Sequence, residues 1–439
     1  MRISIACFSA RFLLACVPAT LLLAACGGGG GDGGADAKIR LLNLSSGYSA
    51  LDLITNIDAD DEDEDETQAS SVALEAASAY VTLDPDDYTI KLKRTGSGSI
   101  LRSFADEQLV ADTINTYVAY GEVGAFGALR LDDTLDEADA GDTKLNIANL
   151  SSAGALDVYI TAADADLGDT TPVMSSVSAG FSQVLVDSGT FRLRVTAAGD
   201  SSDVRLDSAN FVLADRGVAA LIFTSTQSGM LANAIYLPQE GAPAKIVNSK
   251  ARLRGAVGIA HGANASIRAH GVTVLPASTS GVIGSKYSVL DAGSVPISLT
   301  VNGAAVVGPN VTLQAGNDYT LLVWSDTSGV RTSLIPDDNR LPAGIALTKL
   351  RLLNGMSTLA APLTLSMDFS PIIEGTPAGE VSDDTEISAG SERQLDISNT
   401  STATPVLSRS GITLQGSAVY TFFMTDNGGT AIGVLRRDR

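Results

Sequence analysis

Residues able to do chemistry are few in this 439-residue chain, and they sit in short clusters. Asp58-Ala59-Asp60-Asp61-Glu62-Asp63-Glu64-Asp65-Glu66 sets carboxylates close enough to hold calcium through several oxygens at once. An EF-hand loop counted from Asp61 would need glycine at its sixth position and glutamate at its twelfth, where Glu66 and Val72 stand. The run therefore reads first as a solvated, self-repelling loop. Low-specificity calcium binding through Asp58, Asp60, Asp61, Asp63 and Asp65 is the alternative. Asp164, Asp166 and Asp169 could converge on one cation if the chain folds back at Gly168, but they lie between two strands, where Asp and Gly are ordinary turn formers. His261 and His270 are the only histidines. A turn at Gly262-Ala263-Asn264 would bring them together, as an incomplete zinc site lacking cysteine or a fixed carboxylate. No Gly-x-Ser-x-Gly elbow is present, and abundant carboxylates without geometry do not make a glycosidase. These residues predict no catalytic set, no resident metal and no cofactor, hence a protein that is not an enzyme.

Cysteine usage is more specific. Cys7, Cys16 and Cys26 are the only three, and Leu23-Ala24-Ala25-Cys26 closes an apolar run (Phe12 to Leu23) that follows Arg2 and Arg11. That run is shorter than the roughly 20 residues a spanning helix needs, which weighs against a retained transmembrane anchor. The Leu-Ala-Ala-Cys stretch followed by Gly27 to Gly31 resembles the lipobox of bacterial lipoproteins. The resemblance implies cleavage after residue 25 and a diacylglycerol and N-acyl lipid on Cys26. It also implies, through Gly27 at the sorting position, the outer membrane of a Gram-negative bacterium, with a periplasmic or a surface orientation both open. Residues 1–25 would then be the signal peptide and 26–37 a Gly-rich tether. Its eleven residues after the cysteine would reach roughly 17–20 Å. Only one cysteine would remain, excluding internal disulfides, so packed cores must supply the stability.

The chain carries a formal charge of −21, and without the two signal arginines 27 basic residues face 50 acidic ones, a net −23. Such a surface repels phosphate backbones and excludes nucleic acid as a partner. It leaves the lipid as the membrane contact and a protein or glycan of the envelope as the remaining class of partner.

The elements that must position these residues repeat. Lys38, Lys144, Lys250 and Lys349 each open an apolar alternation, 106, 106 and 99 residues apart. A second strand follows, as in Leu156-Asp157-Val158-Tyr159-Ile160. Then come two strands about a tight turn: Tyr80 to Leu83 and Tyr88 to Leu92 about Asp84-Pro85-Asp86-Asp87, or Phe181 to Val186 and Phe191 to Val195 about Asp187-Ser188-Gly189. These turn residues suit a hairpin. Each copy ends in an aromatic-rich pair, such as Tyr319 to Trp324, whose rings are read as core or edge residues in preference to a sugar platform. Seven or eight short strands per copy predict an all-β chain of four tandem immunoglobulin-like sandwiches without the disulfide, at residues 38–135, 143–240, 249–339 and 348–439. The third copy matches least well, and Leu131 to Asp142 reads as an acidic linker.

The Leu-Asp-Val-Tyr strand, the Asn-Leu-Ser before it (Asn149-Leu150-Ser151) and the later Gly-bounded hairpin resemble the repeats of domain-of-unknown-function family 4397. That resemblance implies tandem β-modules in exported, lipid-anchored bacterial proteins and carries no active site. The expected function is a non-enzymatic, lipid-anchored envelope protein with a structural, adhesive or scaffolding role. A glycan- or peptide-binding module, possibly calcium-assisted, is the first alternative and an envelope hydrolase the second.

Overall fold

The alternating segments form strands, as their period requires. A computed structural model describes residues 36–57, 64–358, 361–399 and 405–439. Among these, the strands make eight sheets that stack as four pairs, one pair per module. In module 1 the strands are β1 (Ala37–Leu44), β2 (Ala50–Asn56), β3 (Glu66–Ala73), β4 (Ala76–Ala77), β5 (Val81–Leu83), β6 (Asp87–Arg94), β7 (Ile100–Gln108), β8 (Ile114–Tyr120) and β9 (Gly127–Asp132). Strands β4 and β5 both pair with β1 and behave as one interrupted strand. The first sheet runs β4/β5-β1-β8-β9 and the second β3-β2-β6-β7.

Both orders recur in the other three modules. In each, the first strand runs parallel to the seventh: β1 with β8, Asp142–Asn149 with Gly217–Ser225, Lys250–Gly258 with Asp318–Asp326, and Leu347–Asn354 with Ala418–Asn427. The paired-sheet architecture matches the expectation, but the strand order is not that of the immunoglobulin sandwich. There the first two strands share a sheet, whereas here β1 and β2 lie in opposite sheets.

The expected mid-module hairpins are also corrected. Val81–Leu83 pairs with β1, whereas Asp87–Arg94 pairs with β2 and β7, so the turn at residues 84–86 carries the chain from one sheet to the other. Ser182–Asp187 and Gly189–Ala197 do the same in module 2. Turn residues supply the bend in either case. Gly189 and Gly293, at φ 141° and 117°, occupy backbone that favours glycine. What decides between hairpin and crossover is which sheet's apolar face the next strand can bury.

Each module has its own core between its sheets. In module 1, Ile39, Leu41, Leu51, Leu53, Ile90, Leu92 and Tyr117 are all fully covered. The outer face of each first sheet is covered as well. Leu42, Leu44, Val118 and Leu131 of module 1 pack on Ala220, Ile222, Ile235 and Leu237 of module 2. Ala256, Ile283, Leu322 and Ile335 of module 3 pack on Leu353 and Phe423 of module 4. Strands buried on both faces read as continuous apolar runs, which is why Tyr420-Thr421-Phe422-Phe423-Met424 lacks alternation. At the second seam the backbones approach so closely that a Cβ on Gly258 would overlap the Gly355 carbonyl.

Phe422 and Phe423 are adjacent, yet one belongs to the core of module 4 and the other to its seam with module 3. Truncating either to alanine should cost about 3–5 kcal/mol, with different consequences in hydrogen exchange. Phe422→Ala should raise exchange within module 4, at Leu363–Met367 and Gly390–Asn399. Phe423→Ala should raise it across the seam, in Lys250–Gly258 and Asp318–Asp326.

Candidate functional site

Cys26, the signal and nearly all of the tether lie outside the described residues, as do Asp58, Asp60, Asp61 and Asp63. Asp65 is described. It accepts from Lys91 Nζ at 2.7 Å, Lys93 Nζ at 2.5 Å and Asn56 Nδ2 at 2.9 Å. Burial raises its pKa, but the two lysines outweigh that and hold it at about 2. Its oxygens are thus engaged by cations of the protein itself. Asp166 caps a single 3-10 turn at Leu167–Asp169, accepting from the Gly168 N–H at 2.8 Å. Among the described residues no three His, Cys, Asp or Glu side chains, Asp164 and Asp169 included, come together as a metal site.

The histidines do not converge. Asn264–Ala269 is a strand, so His261 precedes it and His270 follows it, about 20 Å apart at ~3.3 Å per residue. His261 Nδ1 instead meets Asn427 Oδ1 of module 4. Tyr319 is buried, and Trp324 packs at the second seam with its Nε1 donating to Ser333 Oγ at 3.1 Å.

The family-like motifs prove to be joints between sheets. Asn149 donates through Nδ2 to the carbonyls of Gly154 (2.7 Å) and Val177 (3.1 Å) and accepts from the Ser151 N–H. Asn43 and Asn354 repeat this on Val72 and Thr376. Asp157 accepts from the N–H groups of Ser176 and Gly199, both at 2.8 Å, fixing a strand position of positive φ and a turn. These polar groups hold irregular backbone.

The densest chemistry lies on the outer faces of the first sheets, where the sequence reading placed nothing. Arg40, 2% exposed, donates Nε to Thr116 Oγ1 at 2.8 Å. Thr116 in turn donates to Asp133 Oδ2 at 2.5 Å. Arg254 and Thr320 repeat the first contact at 2.8 Å, and Thr320 donates to Asp337 at 2.6 Å. Arg351 and Thr421 repeat it at 2.9 Å, and Thr421 donates to Asp438 at 2.5 Å. Arginine and threonine face each other across the parallel pair, and the aspartate always follows the threonine by 17 residues. In module 2, Asn146 faces Ala220 instead. The one available signal was an arginine inside an apolar alternation in three copies, with that threonine-to-aspartate spacing. Register hid it in module 3, because Arg252, and not Lys250, stands opposite Asp318 where Lys38, Lys144 and Lys349 face their seventh strands.

At the seam of modules 3 and 4 the sets are crossed. Arg351 Nη2 reaches Asp337 of module 3 at 2.6 Å, and Arg254 Nη1 reaches Asp438 of module 4. Tyr287 lies under Arg254, 4.8 Å from ring centre to guanidinium, and donates to Asp337 at 2.6 Å. At the first seam Arg40 instead donates to the carbonyls of Pro238 and Gly241, both at 3.4 Å. Tyr80 bridges Asp133 and the Gln239 carbonyl.

Residues 37–159 match a family model, described as Domain of unknown function (DUF4397). The matched segment is module 1 plus the first two strands of module 2, the second of which, Leu156–Thr161, it enters but does not complete. No curated protein matches the chain. Among solved structures, the family 26 carbohydrate-binding module CBMbc from Eubacterium rectale Amy13K, in complex with maltoheptaose, is 12% identical. It covers 43% of this chain and 92% of its own, at a TM-score of 0.16. The Bacillus anthracis TIE protein is 9% identical, covering 90% of this chain and 69% of its own, at 0.15. Scores this low carry no argument about fold or function.

The two seams respond oppositely to acid. Burial pushes the Asp337 carboxyl up, but Arg351 and Arg254 outweigh it and hold it below the ordinary 3.8. Its contribution is complete above that value and is lost as pH falls through the lower folded one. Burial dominates at Asp133 and raises it, against Thr116 and Arg40. The native first seam therefore takes up a proton more readily and does not share the acid loss. Trp324, the only tryptophan, reports the second seam. Its emission should hold steady from pH 7 to about 4 and shift red below that. Asp337→Asn should show the red shift already at neutral pH.

Proposed function

We propose that this chain is a non-enzymatic, lipid-anchored protein of the Gram-negative cell envelope, in which four modules are clamped together to serve a structural, adhesive or scaffolding role. The observation that carries this reading is the pair of seams. Apolar outer faces, with crossed Arg–Asp contacts between modules 3 and 4 and Arg40 on module 2 carbonyls between modules 1 and 2, make each pair a preassembled body instead of beads on a string. Further bonds tie those bodies together. Arg340 meets Glu122 of module 1 at 2.9 Å, and Arg439 donates to the Ser152 and Gly229 carbonyls of module 2. Polar residues of the repeated motifs hold backbone joints, which favours a structural role over turnover. The Leu-Ala-Ala-Cys stretch and the glycine run support attachment through lipid on Cys26 at the outer membrane. We further infer that modules 2 to 4 are divergent copies of the matched module, a reading supported by their common strand order.

The test is made in the producing cell. Palmitate should label the wild type and not Cys26→Ser. Cross-linking should join the labelled protein to a discrete set of envelope partners that Cys26→Ser loses. Persistent labelling of Cys26→Ser, or saturable turnover of an envelope substrate by purified protein, would overturn the proposal.

A further inference from the structure

A cavity of about 240 Å³ opens where modules 2, 3 and 4 meet, and its wall runs against the charge of the rest of the molecule. Six basic side chains line it (Arg205, Arg252, Arg254, Lys286, Arg436 and Arg437) in a chain of net charge −21. Its three carboxylates are already engaged. Asp203 accepts from Arg205 Nη2 at 2.6 Å, Asp200 accepts from the Ser202 hydroxyl, and Asp438 accepts from Arg254 and Thr421. The guanidinium groups are not all satisfied. Arg254 is 1% exposed and its Nη2 has no partner, and neither do the buried Nε atoms of Arg205 and Arg436. Leaving such donors buried and unpaired is destabilising, more so when they are charged, unless something fills the space. Burial pushes the Arg205 guanidinium down, against Asp203, and Arg252 adds to the downward push. Burial, Arg205 and Arg252 together bring Arg439 down to about 10.

We propose that this cavity binds a phosphate group, either as the free ion or as a monoester on an envelope sugar. Three arginines from three modules each hold an unused N–H, and a phosphate offers three terminal oxygens with a charge near −2. Arginine is suited to this recognition because its fork of donors is fixed and always charged. Because its donors come from modules 2, 3 and 4, the bound group also pins their arrangement. This site does not depend on the lipid anchor.

Calorimetric titration of the full chain in detergent, at low ionic strength, tests it with inorganic phosphate, glucose 6-phosphate and acetate as probes. Phosphate should bind saturably and raise Tm, and acetate should bind at least tenfold more weakly. Tighter binding of glucose 6-phosphate would assign the site to a sugar-borne phosphate, and equal binding to the free ion. Lys286→Gln with Arg437→Gln changes two exposed side chains, so the fold should be kept while phosphate affinity falls about tenfold. Arg254→Gln should abolish binding. Absence of saturable phosphate binding, acetate binding as tight as phosphate, or full affinity in the Lys286/Arg437 variant would overturn the proposal.

Discussion

Everything above the level of the single module depends on a guanidinium buried between two sheets. Arg40, Arg254 and Arg351 leave water almost completely, which is tolerable only when hydrogen bonds and an opposite charge meet them there. The fold supplies both from fixed positions: a threonine directly across the parallel strand pair and an aspartate at the end of the eighth strand. A parallel first and seventh strand is what aligns these groups. The same outer face then supplies the apolar residues that bury the pair.

This arrangement explains why the strands look as they do. Phe422 faces one core and Phe423 another, so the segment has no polar side to present. The repeats, strand positions and paired sheets were legible, because alternation and turn residues report local structure directly. Which sheet receives each strand was not. Asp84 to Asp87 bends the chain equally well into a hairpin or across the sandwich, and the difference lies in long-range burial. The immunoglobulin expectation failed for that reason, since strand number and spacing do not fix strand order. The weak third copy had a simpler cause: a register displaced by two residues, with Arg252 in the place of the opening lysine.

The site was less legible than the fold. The visible acidic run drew attention, but its one described aspartate, Asp65, is tied to Lys91 and Lys93. Asn149 and Asp157, which carry the resemblance in the sequence, are structural joints. The chemistry sits where modules meet, and residues far apart in sequence make it: Arg254 with Asp438, and Arg205 with Arg252 and Arg436. A surface this acidic that gathers six basic groups into one cavity separates solubility from recognition. The outside stays anionic while the junction stays cationic.

The most direct test of the crossed seam is a double-mutant cycle on Arg351 of module 4 and Asp337 of module 3, read by denaturant exposure of Trp324. Arg351→Met and Asp337→Leu should each destabilise the seam by about 3–5 kcal/mol, because each strands a buried charge. Together they should cost clearly less than the sum, with a coupling of about 1–3 kcal/mol. Additive losses with no coupling would show that the seam does not rest on this pair, and would contradict the account.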